Sequence, residues 1–105
     1  RAMTARDVIS GMEARISEDP AKTSEEIDGI FKFVVTGDAG GTWVVNCRDV
    51  GVTEGDGDAE CTITIGDENF VAIADGSMDA MQAFMTGLIQ IEGDMGLAMK
   101  LQQVL

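Results

Sequence analysis

The side chains of this chain that could do chemistry are carboxylates and two thiols, because histidine is absent and 19 acidic residues accompany seven basic ones. Without histidine, Cys-His catalysis and the commonest metal ligand are missing. The acidic turn at residues 56–60 resembles the start of a calcium loop, but Cys61 and Asp67 occupy the positions where that loop needs Gly and Glu. No nucleophile has a base beside it. We therefore predict a non-enzymatic protein with no metal ion and no cofactor.

Cys47 and Cys61 are the only cysteines, and both fall in runs that alternate like strands. Two cysteines do not make a disulfide scaffold, which small secreted domains build from several bridges. Free cysteine is also among the residue types most often buried. The sequence thus favours two separate buried thiols over a bridge between them.

The formal net charge of −12 at pH 7 narrows the possible partners. Nucleic acids need clustered Lys and Arg, and the basic residues here are few and dispersed, so we predict no nucleic-acid partner. The acidity favours a monomer over a dimer and limits membrane contact to a transient one. No uncharged apolar run approaches 18 residues, and no basic segment precedes an apolar one. We therefore expect a cytoplasmic protein without a membrane span or a secretory signal.

Hydrophobic periodicity predicts a single α+β domain over residues 3–105. The predicted strands cover residues 30–36, 42–48, 50–54, 60–65 and 88–92. The predicted helices cover residues 4–17, a segment from Asp67 to Gly76, a segment from Ser77 or Asp79 to Gly87, and residues 95–105. Their predicted caps are a capping box of Thr4 with Asp7, then Asp67, then Asp79 or Ser77, and Gly93-Asp94, and Pro20 is predicted to end the first helix. Each strand has one apolar and one polar face. This pattern is typical of a largely antiparallel sheet that helices cover on one side.

Methionine is concentrated in the last part of the chain, where five of the seven occur: Met78, Met81, Met85, Met95 and Met99. Unbranched thioethers adapt to irregular apolar shapes and are over-used at promiscuous binding surfaces. In the helix predicted over residues 95–105, Met95 and Met99 lie outside the main apolar stripe and widen it. The residues of that stripe are Leu97, Ala98, Leu101, Val104 and Leu105. Two interpretations stay open at this point. The methionines either fill a small core or line a site for an apolar ligand.

Several segments in order along the chain resemble the sterol carrier protein-2 (SCP-2) domain family. The most specific is GDMGLAMKLQ at residues 93–102. The others are GIFKF at 29–33, TWVVN at 42–46, AECTITI at 59–65, and Phe84-Met85 followed by Gly87. The resemblance covers nearly the whole chain with matching spacing.

The resemblance implies a five-stranded, mainly antiparallel sheet covered on one face by helices, with a hydrophobic tunnel between the two layers. It implies an intracellular lipid-binding or lipid-transfer domain that holds fatty acids, fatty acyl-CoA or sterol-like lipids. This chain departs from the family where Leu88, Gln90 and Glu92 replace the basic residues usual on the last strand. That change weakens the case for acyl-CoA phosphates as a ligand. The peroxisomal Ser-Lys-Leu-type signal of many members is also absent.

If the chain holds a lipid, we expect apolar side chains from the sheet, the helices and the C-terminal segment to line the site. These candidates are Phe31, Phe33, Trp43, Val45, Phe70, Met81, Phe84, Met85, Met95, Met99, Leu101 and Leu105. Each could equally belong to the core, since a pocket and a core share one apolar face. Arg15 and Lys22 are the candidates for pairing with a fatty-acid carboxylate, because cations are scarce here; solvation of both is the open alternative.

A second hypothesis comes from the same final helix. Family members occur fused to lipid-metabolising enzymes, so the chain could be an accessory or protein-interaction domain. It would then dock on a partner through its C-terminal helix instead of closing over a lipid.

Overall fold

The structure is a computed structural model that describes residues 1–105 as five α-helices, one 3-10 helix and five strands. The helices are α1 (Ala5–Glu18), α2 (Pro20–Glu26), α3 (Asp67–Ala74), α4 (Ala80–Met85) and α5 (Met95–Ala98), and the 3-10 helix is η1 (Leu101–Gln103). The strands are β1 (Ile30–Thr36), β2 (Gly41–Asn46), β3 (Gly51–Glu54), β4 (Cys61–Gly66) and β5 (Ile89–Gly93). All five predicted strands are present, with bounds within two residues of the predicted ones.

β1 lies at the centre of the sheet, whose strand order is β3-β2-β1-β4-β5. The pairs β1–β2, β2–β3 and β4–β5 are antiparallel, whereas β1 and β4 run parallel. In the register of the central pairs, Phe33 of β1 lies between Trp43 of β2 and Ile63 of β4. The predicted α+β class with a mainly antiparallel five-stranded sheet is confirmed.

One face of the sheet is apolar because alternate residues of a strand point to the same side. Phe31, Phe33 and Val35 of β1 are buried on this face. Helix α1 covers it with a stripe of five buried residues, namely Ala5, Val8, Ile9, Met12 and Ile16. No polar or charged side chain is buried anywhere in the described chain. The fold is therefore held by apolar burial, at about 25 cal/mol per Å² of surface removed from water.

Side-chain caps begin three of the helices as predicted. Thr4 and Asp7 form a reciprocal capping box at α1. Asp79 accepts a hydrogen bond from the Gln82 amide at α4, and Asp94 caps α5. Such caps satisfy amides that have no partner inside the helix.

The prediction that Asp67 caps α3 is wrong. The N-cap residue is Gly66, which has no side-chain bond, and Asp67 is the first helical residue. The Asp67 carboxylate instead accepts hydrogen bonds from the Ala39 amide at 3.0 Å and the Glu68 amide at 2.9 Å. It thus ties the β1–β2 turn to the start of α3, which is a tertiary role that local spacing does not reveal.

Helix α2 was not predicted, because Pro20 was interpreted only as the end of the first helix. A proline also suits the first turn of a helix, where its missing amide has no role. Here Asp19 is the N-cap of a new helix, and its carboxylate accepts a hydrogen bond from the Lys22 amide at 3.2 Å. The Asp-Pro pair therefore ends α1 and begins α2.

The single helix predicted over residues 95–105 is also wrong. Helix α5 ends at Ala98, and the chain continues as a turn and the 3-10 helix η1. The backbone bonds there are of the tighter type, with the Lys100 amide donating to Leu97 O and the Val104 amide to Leu101 O. Residues three apart eclipse one another in this geometry. It brings Leu101 and Val104 to the same inner side, where Val104 is buried.

Of all the helices, none has both the length and the apolar character needed to cross a lipid bilayer.

Raising the NaCl concentration from about 10 mM to about 0.5 M should raise the melting temperature by roughly 5 °C. The net charge of −12 makes the folded chain repel itself, and salt screens that repulsion. Salt also weakens the attraction within ion pairs, but this loss of stability is small, because the pairs, such as Arg6 with Glu54, lie at the surface. Calorimetry at constant pH measures the change. A melting temperature that falls with salt contradicts this balance.

Candidate functional site

Five of the candidate ligand residues lie together in the core under α1. They are Phe31, Phe33, Trp43, Val45 and Phe70, and all are almost fully buried. The Phe33 and Phe70 ring centroids are 5.5 Å apart, and those of Phe31 and Phe33 are 6.2 Å apart. Tilted rings at these distances form favourable aromatic contacts. In this conformation the residues fill the space between the sheet and the helices.

Five other candidates lie on the outside of the molecule: Met81, Phe84, Met85, Met95 and Met99. Helix α4 shows the reason for the first three. Its small residue Ala83 faces the core, so the larger apolar side chains of the same helix point to solvent. The structure therefore does not bring the methionines together with the buried aromatic residues. Their contact with a ligand stays a prediction.

The C-terminal segment, residues 95–105, is anchored by two buried side chains. Leu97 lies against Gly29, where a Cβ atom would come within 2.4 Å of Leu97 Cδ1. Val104 is buried further along, and Leu101 and Leu105 are half-buried beside it. Leu97 and Val104 were predicted to be part of the apolar stripe but not of the site. Their position in that apolar stripe was the sequence signal that could have identified them as buried anchors.

Arg15 and Lys22 line the same cavity, which has a volume of about 250 Å³. The cavity lies where the end of α1, helix α2 and the C-terminal segment meet. Arg15 Nε donates a hydrogen bond to the Val104 carbonyl oxygen at 3.1 Å. The remaining lining residues are Ile16, Glu18, Asp19, Thr23, Glu26, Ile27, Gln103 and Val104. The two predicted cations are thus brought together, beside three apolar and three acidic side chains.

The hydrophobic tunnel that the resemblance implies is not seen in the structure. The core aromatic residues occupy the space between the layers, and the Arg15 cavity is mostly polar. The apolar residues Ile16, Ile27 and Val104 form the part of its wall that adjoins the core. The tunnel therefore stays a prediction.

A second cavity of about 250 Å³ lies at the other side of Ile27 and Leu97. Its polar wall includes Asp28 and Glu60, both of which bind Arg48 through hydrogen bonds of 2.7 to 3.2 Å. The Glu60 carboxylate also accepts a bond from the Ile30 amide at 3.0 Å. These carboxylates already have partners, so their arrangement is one of structural support at the start of β1.

Cys47 and Cys61 are free, buried thiols, as predicted. Burial raises the pKa of the Cys47 thiol to about 11. Burial, with a smaller contribution from the charge of Asp94, raises the pKa of Cys61. The thiolate is the reactive form of cysteine, so neither group is set up as a nucleophile. No group of three or more His, Cys, Asp or Glu side chains could hold a metal ion.

The five-stranded sheet with helices on one face places the chain among small α+β domains. The model of the SCP-2 sterol transfer family matches residues 10–105, and the chain belongs to that family. Sterol carrier protein 2 of Homo sapiens is 39% identical over 103 residues, which are 92% of this chain and 19% of that protein.

Two further comparisons extend this result. Hydroxysteroid dehydrogenase-like protein 2 of Xenopus tropicalis is 31% identical over 104 residues, which are 95% of this chain and 24% of that protein. The chain thus spans 19% to 24% of the length of these two relatives. The solution structure of palmitated SCP2L2 from Aedes aegypti has a TM-score of 0.81 at 28% identity, covering 97% of this chain and 94% of that one.

The contact between Gly29 and Leu97 yields a prediction about how the C-terminal segment is held. Gly29→Ala should destabilise the chain by about 1–3 kcal/mol, because the added methyl group displaces Leu97. The same change in a Leu97→Ala background should cost less, since the obstacle is gone. Urea unfolding of the two single variants and the double variant measures the coupling. An equal cost in both backgrounds contradicts the contact.

The thiols yield a second prediction. At about pH 8, an aromatic disulfide reagent should modify Cys47 and Cys61 no faster than the chain unfolds, because the side chains are buried and the thiolate is scarce. In about 6 M guanidinium both should react at once. Absorbance of the released thiol follows the reaction. Rapid modification of the native chain contradicts the burial.

Proposed function

We propose that this chain is a lipid-binding domain without catalytic activity and that it holds a fatty acid between its sheet and its helices. The observation that carries the proposal is the pairing of Arg15 and Lys22 at one cavity whose inner wall adjoins the apolar core. A fatty acid has the matching chemistry, which is one carboxylate on a long apolar chain. The Aedes aegypti relative that contains palmitate supports the same ligand class.

The Arg15 guanidinium is the group that we propose for the carboxylate. It now donates to the Val104 carbonyl oxygen. A carboxylate makes a stronger, charge-assisted bond with arginine than a carbonyl oxygen does. A bound fatty acid would therefore replace the carbonyl as the acceptor and free the end of the C-terminal segment.

The acyl chain would then follow the path that Val104 now closes. Val104 is buried beside Ile16 and Ile27, and the buried aromatic residues lie further in. Burying about 14 methylene groups contributes on the order of 10 kcal/mol before the costs of binding are subtracted. That is enough to displace a segment held mainly by two apolar anchors. Because few polar contacts contribute, the site should accept lipids of several lengths.

The acidic residues around the cavity narrow the ligand further. Glu18, Asp19 and Glu26 line it with the two cations, so the local charge does not favour a polyanion. The last strand also lacks basic residues, with Gln90 and Glu92 exposed. We therefore propose a fatty acid or an uncharged sterol-like lipid in preference to an acyl-CoA.

Docking on an enzyme through a long C-terminal helix is the less favoured alternative. That hypothesis rested on an eleven-residue amphipathic helix over residues 95–105. The segment is instead a four-residue helix and a 3-10 turn, with Leu97 and Val104 buried inside the chain.

Delipidated protein should bind palmitate in a one-to-one complex by native mass spectrometry. Arg15→Gln should weaken palmitate binding on the order of tenfold, because it removes a charge-assisted bond to the carboxylate. Methyl palmitate has the same chain without the charge. Its binding should be nearly equal for the parent chain and the variant.

Arg1→Gln is the matched control, since it removes an exposed arginine that pairs with Asp7 at the start of α1, away from the cavity. It should leave palmitate binding unchanged. If the parent chain takes up neither palmitate nor methyl palmitate, the proposed function is wrong. If Arg15→Gln weakens both ligands equally, the carboxylate does not bind at Arg15.

A further inference from the structure

In helix α4 the large apolar side chains face solvent, whereas in an ordinary amphipathic helix they face the core. Its alanine Ala83 is buried, whereas Met81 is 53% exposed and Met85 is 77% exposed. Phe84, at the same helical spacing, lies between them. Leu88 follows the glycine turn after the helix, where its amide donates to Ala83 O at 2.8 Å, and it is 44% exposed. We call Met81, Phe84, Met85 and Leu88 the α4 patch.

The residues of the α4 patch keep between 38% and 77% of their surface exposed in the folded chain. The side chains that fix α4 and the start of β5 are the buried Ala83 and Ile89. The exposed part of an apolar side chain does not contribute to the free energy of folding. A patch of such side chains is typical of a surface that contacts another molecule or a membrane.

The charges around the patch are unusual for this chain. Residues 80–91 include no charged side chain, although a quarter of all residues are charged. Between Arg48 and Lys100 there is no Arg or Lys, while eleven Asp and Glu residues occur there. This half of the sequence therefore offers an uncharged apolar patch with only acidic residues around it in sequence.

We propose that the α4 patch docks on the surface of a neutral, zwitterionic lipid bilayer. Methionine, phenylalanine and leucine side chains insert into the boundary between headgroups and acyl chains, where binding grows with the apolar area buried. An anionic bilayer repels a chain of net charge −12 that has no cations in this region. A zwitterionic surface has no net charge and does not repel the chain. The negative charge of the chain therefore favours a zwitterionic bilayer over an anionic one.

A second copy of the chain fits the patch less well. Taking about 200 Å² for a fully exposed large side chain, the four residues offer roughly 400 Å², about half of what each partner of a stable complex buries. Two chains of charge −12 also repel each other on approach. A bilayer needs neither a complementary shape nor a second patch.

The test uses flotation of the 105-residue chain with vesicles of phosphatidylcholine alone or with about 30% phosphatidylserine. The chain should float with phosphatidylcholine vesicles, and phosphatidylserine should weaken the binding. Leu88→Gln and Met81→Gln should each weaken it on the order of fivefold, because each removes one inserting side chain without adding charge. Met3→Gln is the matched control. Met3 is 50% exposed and lies before α1, so the change should have no effect.

The proposal is overturned by no flotation with phosphatidylcholine, by flotation that requires phosphatidylserine, or by equal effects of Leu88→Gln and Met3→Gln. A concentration-dependent dimer that Leu88→Gln dissociates also overturns it and assigns the patch to a second copy. Palmitate uptake in solution separates this proposal from the proposed function. Leu88→Gln should take up palmitate as the parent chain does. Flotation without palmitate uptake would leave the docking surface and remove the carrier function.

Discussion

The apolar face of the sheet is the constraint on which the rest of the structure depends. Phe31 and Phe33 lie at the centre of the central strand and must be kept from water. Helix α1 packs against β2 and β3 with a continuous buried stripe, and the C-terminal helix α5 lies against β4 and β5. The C-terminal segment completes the cover with two buried side chains and one hydrogen bond from Arg15. Regions with few buried contacts open at the lowest free energy, and for this reason we propose that the C-terminal segment is the part of the cover that a ligand displaces.

The strands were predictable from the sequence because alternation is local and survives in the tertiary structure. Cys61, Ile63 and Ile65 alternate with Thr62 and Thr64 in both the pattern and the fold. The conformation of the C-terminal segment was not predictable from the sequence. Over eleven residues, 3.6-residue periodicity cannot distinguish one α-helix from a shorter helix followed by a 3-10 turn. In the observed structure the tighter turns place Val104 in the core.

The candidate site was predictable only in part. Arg15 and Lys22 were singled out because cations are scarce, and the fold does bring them to one cavity. The rotation of α4 was not predictable, because six residues with apolar side chains on both sides allow either face inward. Helix α4 packs against β5, and one of its two alanines, Ala83, takes the buried position. Methionine therefore occurs both in the core, as Met12, and on the surface, as Met85 and Met99.

The most direct test of the account is to locate palmitate within the chain by intermolecular nuclear Overhauser effects with carbon-13-labelled palmitate. We expect contacts from the acyl chain to Phe33, Phe70 and Val104, with the methylene group next to the carboxylate close to Arg15. The Arg15 hydrogen bond to the Val104 carbonyl oxygen should be lost on binding. Contacts confined to Met85 and Leu88 at the surface, with Val104 undisturbed, would contradict it.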